Sequence, residues 1–88
     1  MTYHIEFTEF AKKQLKKLDS YTALLIVGWI KKNLECCKDP RILGKALKSN
    51  KRGQWRYRIG DYRILALIQD KKLVILIIAI GHRKEIYD

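Results

Sequence analysis

Three arginines fall within eight residues of the stretch QWRYRIGDYRI, at Arg56, Arg58 and Arg63, with Asp61 the one acid among them. Guanidinium forks match phosphate oxygens in charge and geometry, so this pattern points to a phosphate ester. The C-terminal GHRKEIYD adds His82, Arg83 and Tyr87. RNA carries its own nucleophile, the 2′-OH. A protein acting on it must take up that proton, hold the phosphate for in-line attack, and stabilise charge on the phosphorane and leaving oxygen. Arg58, Arg63 and Arg83 suit the last two tasks. Tyr87 and His82 are the candidates for the first; free tyrosine titrates near about 10, and neighbouring positive charge lowers that. No carboxylate pair stands near the arginines, which argues against a metal-dependent nuclease. No Ser or Cys sits by a His in a nucleophile motif. Neither a metal nor a cofactor is called for.

The partner class follows from charge. Nineteen Lys and Arg stand against nine Asp and Glu, a net charge of +10 over 88 residues. That excess favours a polyanion: nucleic acid, an anionic membrane or an acidic protein. Segment 41–63 concentrates it, with Arg41, Lys45, Lys48, Lys51, Arg52, Arg56, Arg58 and Arg63 against Asp61. Lys45, Lys48, Lys51, Arg52 and Arg56 are therefore candidate RNA-binding residues. Trp55, Tyr57 and Tyr62 interleave with them and could stack on exposed bases, although alternation directs them mostly to the core.

Several classes are set aside. Hydrophobic residues make up 48% and there is a single proline, so a folded chain is expected rather than a disordered one. The longest apolar run, LVILIIAI at 73–80, has eight residues, well short of the roughly 20 a membrane helix needs. With no basic-then-apolar leader pattern, a soluble cytoplasmic protein is expected. Cys36 and Cys37 are adjacent and lack a second pair to complete a metal site, so they read as two half-buried reduced thiols. His4 lies in the first strand, away from the arginines, and receives no role.

The elements that must position these residues form one domain over 1–88. TYHIEF alternates as a short first strand. Thr8 offers an N-cap oxygen for an amphipathic helix carrying Phe10, Ala11, Leu15 and Leu18, with lysines on its outer face. Asp19 or Ser20 caps a second helix that runs to about Cys37, closed by Pro40. So short a link makes the two an antiparallel hairpin. RILGKALKSNKRG at 41–53 reads as a loop, with room for one helical turn. Period-two patterning then predicts strands at 54–59, 62–69 and 72–80, the last apolar on both faces and hence central. The class is α+β: a helical hairpin on a four-stranded, mostly antiparallel sheet.

The turn Gly60-Asp61 sets a register. It opposes Ile59 to Tyr62, Arg58 to Arg63 and Tyr57 to Ile64. Arg56, Arg58 and Arg63 then share one face, and like charges that close destabilise a sheet unless an anion answers them. The alternative is that they splay into solvent or pair with acids elsewhere. If Asp70-Lys71 is the next turn, residue 62 faces residue 79, and the tail carrying His82, Arg83 and Tyr87 leaves the sheet beside the arginines.

Taken together, FAKKQLKKLD, DPRILGKAL, GQWRYRIGDYRI and IGHRKEIY resemble the RelE family of the RelE/ParE toxin superfamily over nearly the whole chain. The resemblance implies a toxin of a type II toxin–antitoxin pair that enters the ribosomal A site and cuts mRNA without metal through 2′-OH attack. It implies a RelB-like antitoxin whose helical segment wraps the toxin, and is compatible with a toxin–antitoxin heterotetramer bound to operator DNA. By motif, Arg63 and Arg83 match positions that stabilise the transition state and leaving group. Tyr87 matches a tyrosine that stacks on the base or assists proton transfer. Arg56 and Arg58 match positions that are often lysine. Because arginine effectively never deprotonates, proton transfer here falls to Tyr87 or His82. A ParE-like gyrase inhibitor and a non-catalytic RNA-binding module are the alternatives; fold alone does not separate them.

Overall fold

A computed structural model describes residues 1–47 and 53–86. Lys48, Lys51, Arg52 and Tyr87 lie outside the described residues. The elements are β1 (His4–Phe7), α1 (Glu9–Lys16), α2 (Ser20–Asn33), β2 (Lys45–Ala46), β3 (Gln54–Ile59), β4 (Tyr62–Gln69) and β5 (Val74–His82). The sheet order is β1-β5-β4-β3-β2. β1 runs parallel to β5 and the other pairings are antiparallel. The class is α+β, as expected, with five strands rather than four. The fifth is the two-residue β2, in a segment read as a loop. Too short to show alternation, it is recruited by the edge of β3, where Lys45 pairs with Arg56 and Ala46 with Trp55.

Both helices start where a side-chain oxygen accepts an orphan amide. The Thr8 hydroxyl accepts from the Ala11 N–H at 3.1 Å, and the Asp19 carboxylate from the Thr22 N–H at 3.1 Å. α2 ends at Asn33, with Leu34 as its C-cap, rather than near Cys37. The chain leaves the helix because Cys36 turns to φ 63° and its N–H bonds the Tyr3 carbonyl at 2.8 Å. Ala11, Ile26, Ile30 and Leu34 bury against Tyr57, Ile64, Ala66, Ile75, Ile77 and Ile80. One face of the sheet is thus covered by the helices.

Two features set the register of β5. A four-residue turn over 70–73, with Leu73 at φ 57°, pairs Gln69 with Val74. An irregularity at Leu65/Ala66 then adds one residue. Tyr62 therefore faces His82 rather than residue 79. The strand predicted to stop at 80 continues to His82. The bulge also keeps the alternation in step, since Ile75 and Ile77 before it and Ile80 after it all reach the core.

Candidate active site

The β3–β4 hairpin has the register that its turn residues dictate: Ile59 opposite Tyr62, Arg58 opposite Arg63, Tyr57 opposite Ile64. Opposed residues share a face. Tyr57 and Ile64 are fully buried under the helices, so Arg56, Arg58 and Arg63 lie on the other face. Lys45, paired with Arg56, extends this row onto β2. Four cations therefore run across three strands.

Arg63 is the centre of the group. It is the one buried charged residue among those described, at 8% exposure. Its Nη1 donates to the carbonyl oxygens of Gly60 at 3.0 Å and Tyr62 at 3.1 Å, which fixes the guanidinium against the hairpin turn. Burial lowers its pKa, and the positive charges of Arg58, Arg56 and Arg83 lower it further, with Asp61 opposing them. Four arginines thus share one electrostatic environment. Arg83 is placed by the same turn: its N–H donates to the Asp61 carbonyl at 2.8 Å, and its Nη1 lies 3.8 Å from the Asp61 carboxylate. The side chains of this last pair are 58% and 65% exposed, so the neutralisation is weak.

The tail folds back over this face. Gly81 pairs with Arg63, and a Cβ placed on Gly81 would meet Ile86 at 3.2 Å and Glu85 at 3.4 Å. The glycine thus lets the Ile86 and Glu85 side chains close tightly beside Arg63. The Glu85 and Ile86 amides hold this turn by donating to the His82 carbonyl at 2.7 and 3.2 Å.

His82 is placed differently. It pairs with Tyr62, one residue out of step with Arg63, so alternation directs it to the helix-covered face. Its ring lies edge-on to Tyr62 with centroids 5.5 Å apart, and its Nδ1 accepts the Lys84 N–H at 3.2 Å. The structure brings Arg58, Arg63 and Arg83 together and sets the His82 ring apart from them. Arg56, Arg58 and Lys45 also line a cleft of 260 Å³ with Trp29, Leu43 and Gly44. Gly44 has φ 81°, and a Cβ there would collide with the Arg56 carbonyl oxygen, so only glycine lets the chain approach β3 this closely. No local pattern marks Gly44, because its need arises from the approach to Arg56, twelve residues along the chain.

Tyr57 does not enter the chemistry. It donates to the Pro40 carbonyl oxygen, and burial pushes its pKa well above the usual tyrosine value.

Residues 5–87 match the family model described as the ParE toxin of the type II toxin–antitoxin system parDE. The chain is 31% identical over 87 residues to Toxin RelG of Mycobacterium tuberculosis, covering 99% of this chain and 98% of that protein. Among solved structures it resembles the toxin–antitoxin complex RelBE2 of M. tuberculosis, at TM-score 0.85 and 29% identity over 94% of this chain and 93% of that one. The archaeal RelE–RelB complex of Pyrococcus horikoshii aligns at TM-score 0.72 and 26% identity, over 98% and 100% of the two chains. A folded pair of helices on a mixed sheet, an arginine-lined face and these full-length matches agree: the chain belongs to the RelE family of type II toxin–antitoxin toxins, within the RelE/ParE superfamily.

Proposed function

We propose that this toxin is a ribosome-dependent endoribonuclease that cuts mRNA in the A site by intramolecular 2′-OH attack. The observation that carries this reading is the shared field of Arg58, Arg63 and Arg83, with Asp61 their one weakly paired carboxylate among the described residues. Folding alone gains nothing from guanidiniums opposed across a hairpin. A scissile phosphate answers them.

In this mechanism the 2′-oxygen bonds to phosphorus while the P–O5′ bond breaks, leaving a 2′,3′-cyclic phosphate and a 5′-hydroxyl. The 2′-OH proton passes to a base, and a proton is delivered to the departing 5′-oxygen. Arg63, locked by the turn carbonyls, holds a non-bridging phosphate oxygen with its remaining donors. Exposed Arg83 and Arg58 stabilise the phosphorane and the leaving oxygen. We assign proton transfer to Tyr87, carried over from the family motif. His82, turned toward Tyr62, acts as a positioning residue for the tail. Lys45 and Arg56, with Lys48, Lys51 and Arg52 in the neighbouring sequence, contact RNA phosphates.

The same charge points to the antitoxin. Two solved relatives are complexes of RelE- and RelB-type chains. We infer a RelB-like antitoxin here, acidic where it meets the arginine row, with assembly into a heterotetramer on operator DNA as the regulatory form.

The family description also covers ParE, so gyrase inhibition is the second reading. Primer extension on translated mRNA after induction decides. Breaks at codons, with cyclic phosphate ends, are expected. DNA breaks with intact mRNA would sink the nuclease reading. RNA binding without cleavage would leave a binding module.

A further inference from the structure

We propose that His4, Glu35 and Cys36 form a zinc-binding site where β1 meets the turn after α2. Their ligand atoms all lie within 4.8 Å of one another. His4 Nδ1 is 2.8 Å from Glu35 Oε2, and Cys36 Sγ is 3.7 Å from the same oxygen. Zinc binds imidazole nitrogen, carboxylate oxygen and thiolate sulfur at about 2.0–2.3 Å, which sets ligand atoms about 3–4 Å apart around a tetrahedral ion. Small side-chain rotations would close the set.

The backbone builds this site. The Tyr3 N–H donates to the Cys37 carbonyl at 2.9 Å, and the Cys36 N–H to the Tyr3 carbonyl at 2.8 Å. These bonds lock the turn against the start of β1. Glu35 Oε1 accepts the Ile5 N–H at 2.8 Å, leaving Oε2 beside His4. Cys36 sits at φ 63°, a conformation that non-glycine residues seldom adopt. The turn leaves Cys36 exposed while Cys37 packs against the core, so the adjacent thiols have different fates.

The donor set selects the metal. A thiolate, an imidazole and a carboxylate suit zinc better than magnesium or calcium, which prefer all-oxygen sites. Three protein ligands leave one position for water. The His4 and Glu35 side chains are 61% and 37% exposed, so an ion has an entry path. Neither the arginine row nor the proposed cleavage uses these residues, so the site stands or falls independently of that reading.

Cobalt(II) titration of the full chain, kept reduced by a non-thiol reductant, tests it. A near-ultraviolet thiolate-to-cobalt band should saturate at one equivalent and disappear on adding zinc. Cys36→Ser should abolish the band, and Cys37→Ser should retain it. His4→Ala and Glu35→Gln should each weaken binding by about tenfold or more; Glu35→Gln keeps an oxygen for the Ile5 amide, so its fold is preserved. Absence of the band in the native protein, or its persistence in Cys36→Ser, would reduce the cluster to a surface ion pair and overturn the proposal.

Discussion

Arg41 and Arg63 are the same residue type in opposite circumstances. Arg41 is answered by Asp70 through two bonds, Nη1 to Oδ1 at 3.0 Å and Nη2 to Oδ2 at 2.9 Å, and Asp70 also accepts from the Tyr3 hydroxyl at 2.6 Å. That fork raises the pKa of Arg41. Arg63 is buried next to other arginines, and its pKa is lowered. The first site ties the N-terminus, the segment after Pro40 and the β4–β5 turn into one clamp. The second accumulates like charge where the fold gains little from it. An arginine answered within the chain serves the fold, whereas a group answered only weakly is poised for an anion from outside.

The strongest way to break this contrast is to remove one arginine from each site. Arg83→Ala should lower mRNA cleavage by about 10²- to 10³-fold, the usual cost of losing one donor aimed at developing charge. Its melting temperature should hardly move, since Arg83 is exposed. Arg63→Ala should lose as much activity and also melt earlier, because its two bonds to turn carbonyls go with it. Arg41→Ala should retain activity. Primer extension and thermal unfolding on all three variants give the comparison. Equal losses of cleavage for Arg41→Ala and Arg83→Ala would erase the distinction.

A smaller effect is expected at the end of the row. Lys45→Ala should weaken binding to single-stranded RNA regardless of sequence and reduce the slope of log affinity against log salt by about 0.7, the value for one released counterion on a single strand. Arg41→Ala should leave that slope unchanged, because its charge is already paired. Fluorescence anisotropy at several salt concentrations measures both. A slope unchanged by Lys45→Ala would remove β2 from the binding surface.

Much of this was legible in the residues, and the failures share a cause. The Arg58–Arg63 opposition followed from a two-residue turn, because the turn fixes the hairpin locally. The position of His82 did not, because it depends on the four-residue turn at 70–73 and a bulge at Leu65/Ala66, neither of which alternation reveals. β2 was missed because two residues cannot show a period. The pattern of the first helix places Phe10 on its apolar face, yet Phe10 is 61% exposed; periodicity marks a stripe but not its width. Nothing in the sequence pattern gives His4 a role, since Glu35 and Cys36 meet it only where the start of β1 lies against the turn after α2, with Glu35 31 residues along the chain.

The smallest effect sharpens the comparison from the answered side. Arg41 and Tyr3 hold the Asp70 carboxyl at about 2, below its ordinary 3.8. A carboxyl depressed on folding stabilises the protein above its unfolded pKa, and that stabilisation fades as pH falls through the folded value. The gap in melting temperature between the native protein and Asp70→Asn should therefore be level from neutral pH down to about 5 and shrink between about 4 and 2. Asp70 is 56% exposed, so solvent screening limits the gap to about 1 kcal/mol or less, a few degrees for a domain of this size. Cleavage by Asp70→Asn at neutral pH should match the native rate, because the clamp lies outside the arginine row. A gap that stays constant down to pH 2 would mean that Asp70 acts through shape and neutral hydrogen bonds, and that Arg41 is not held by charge.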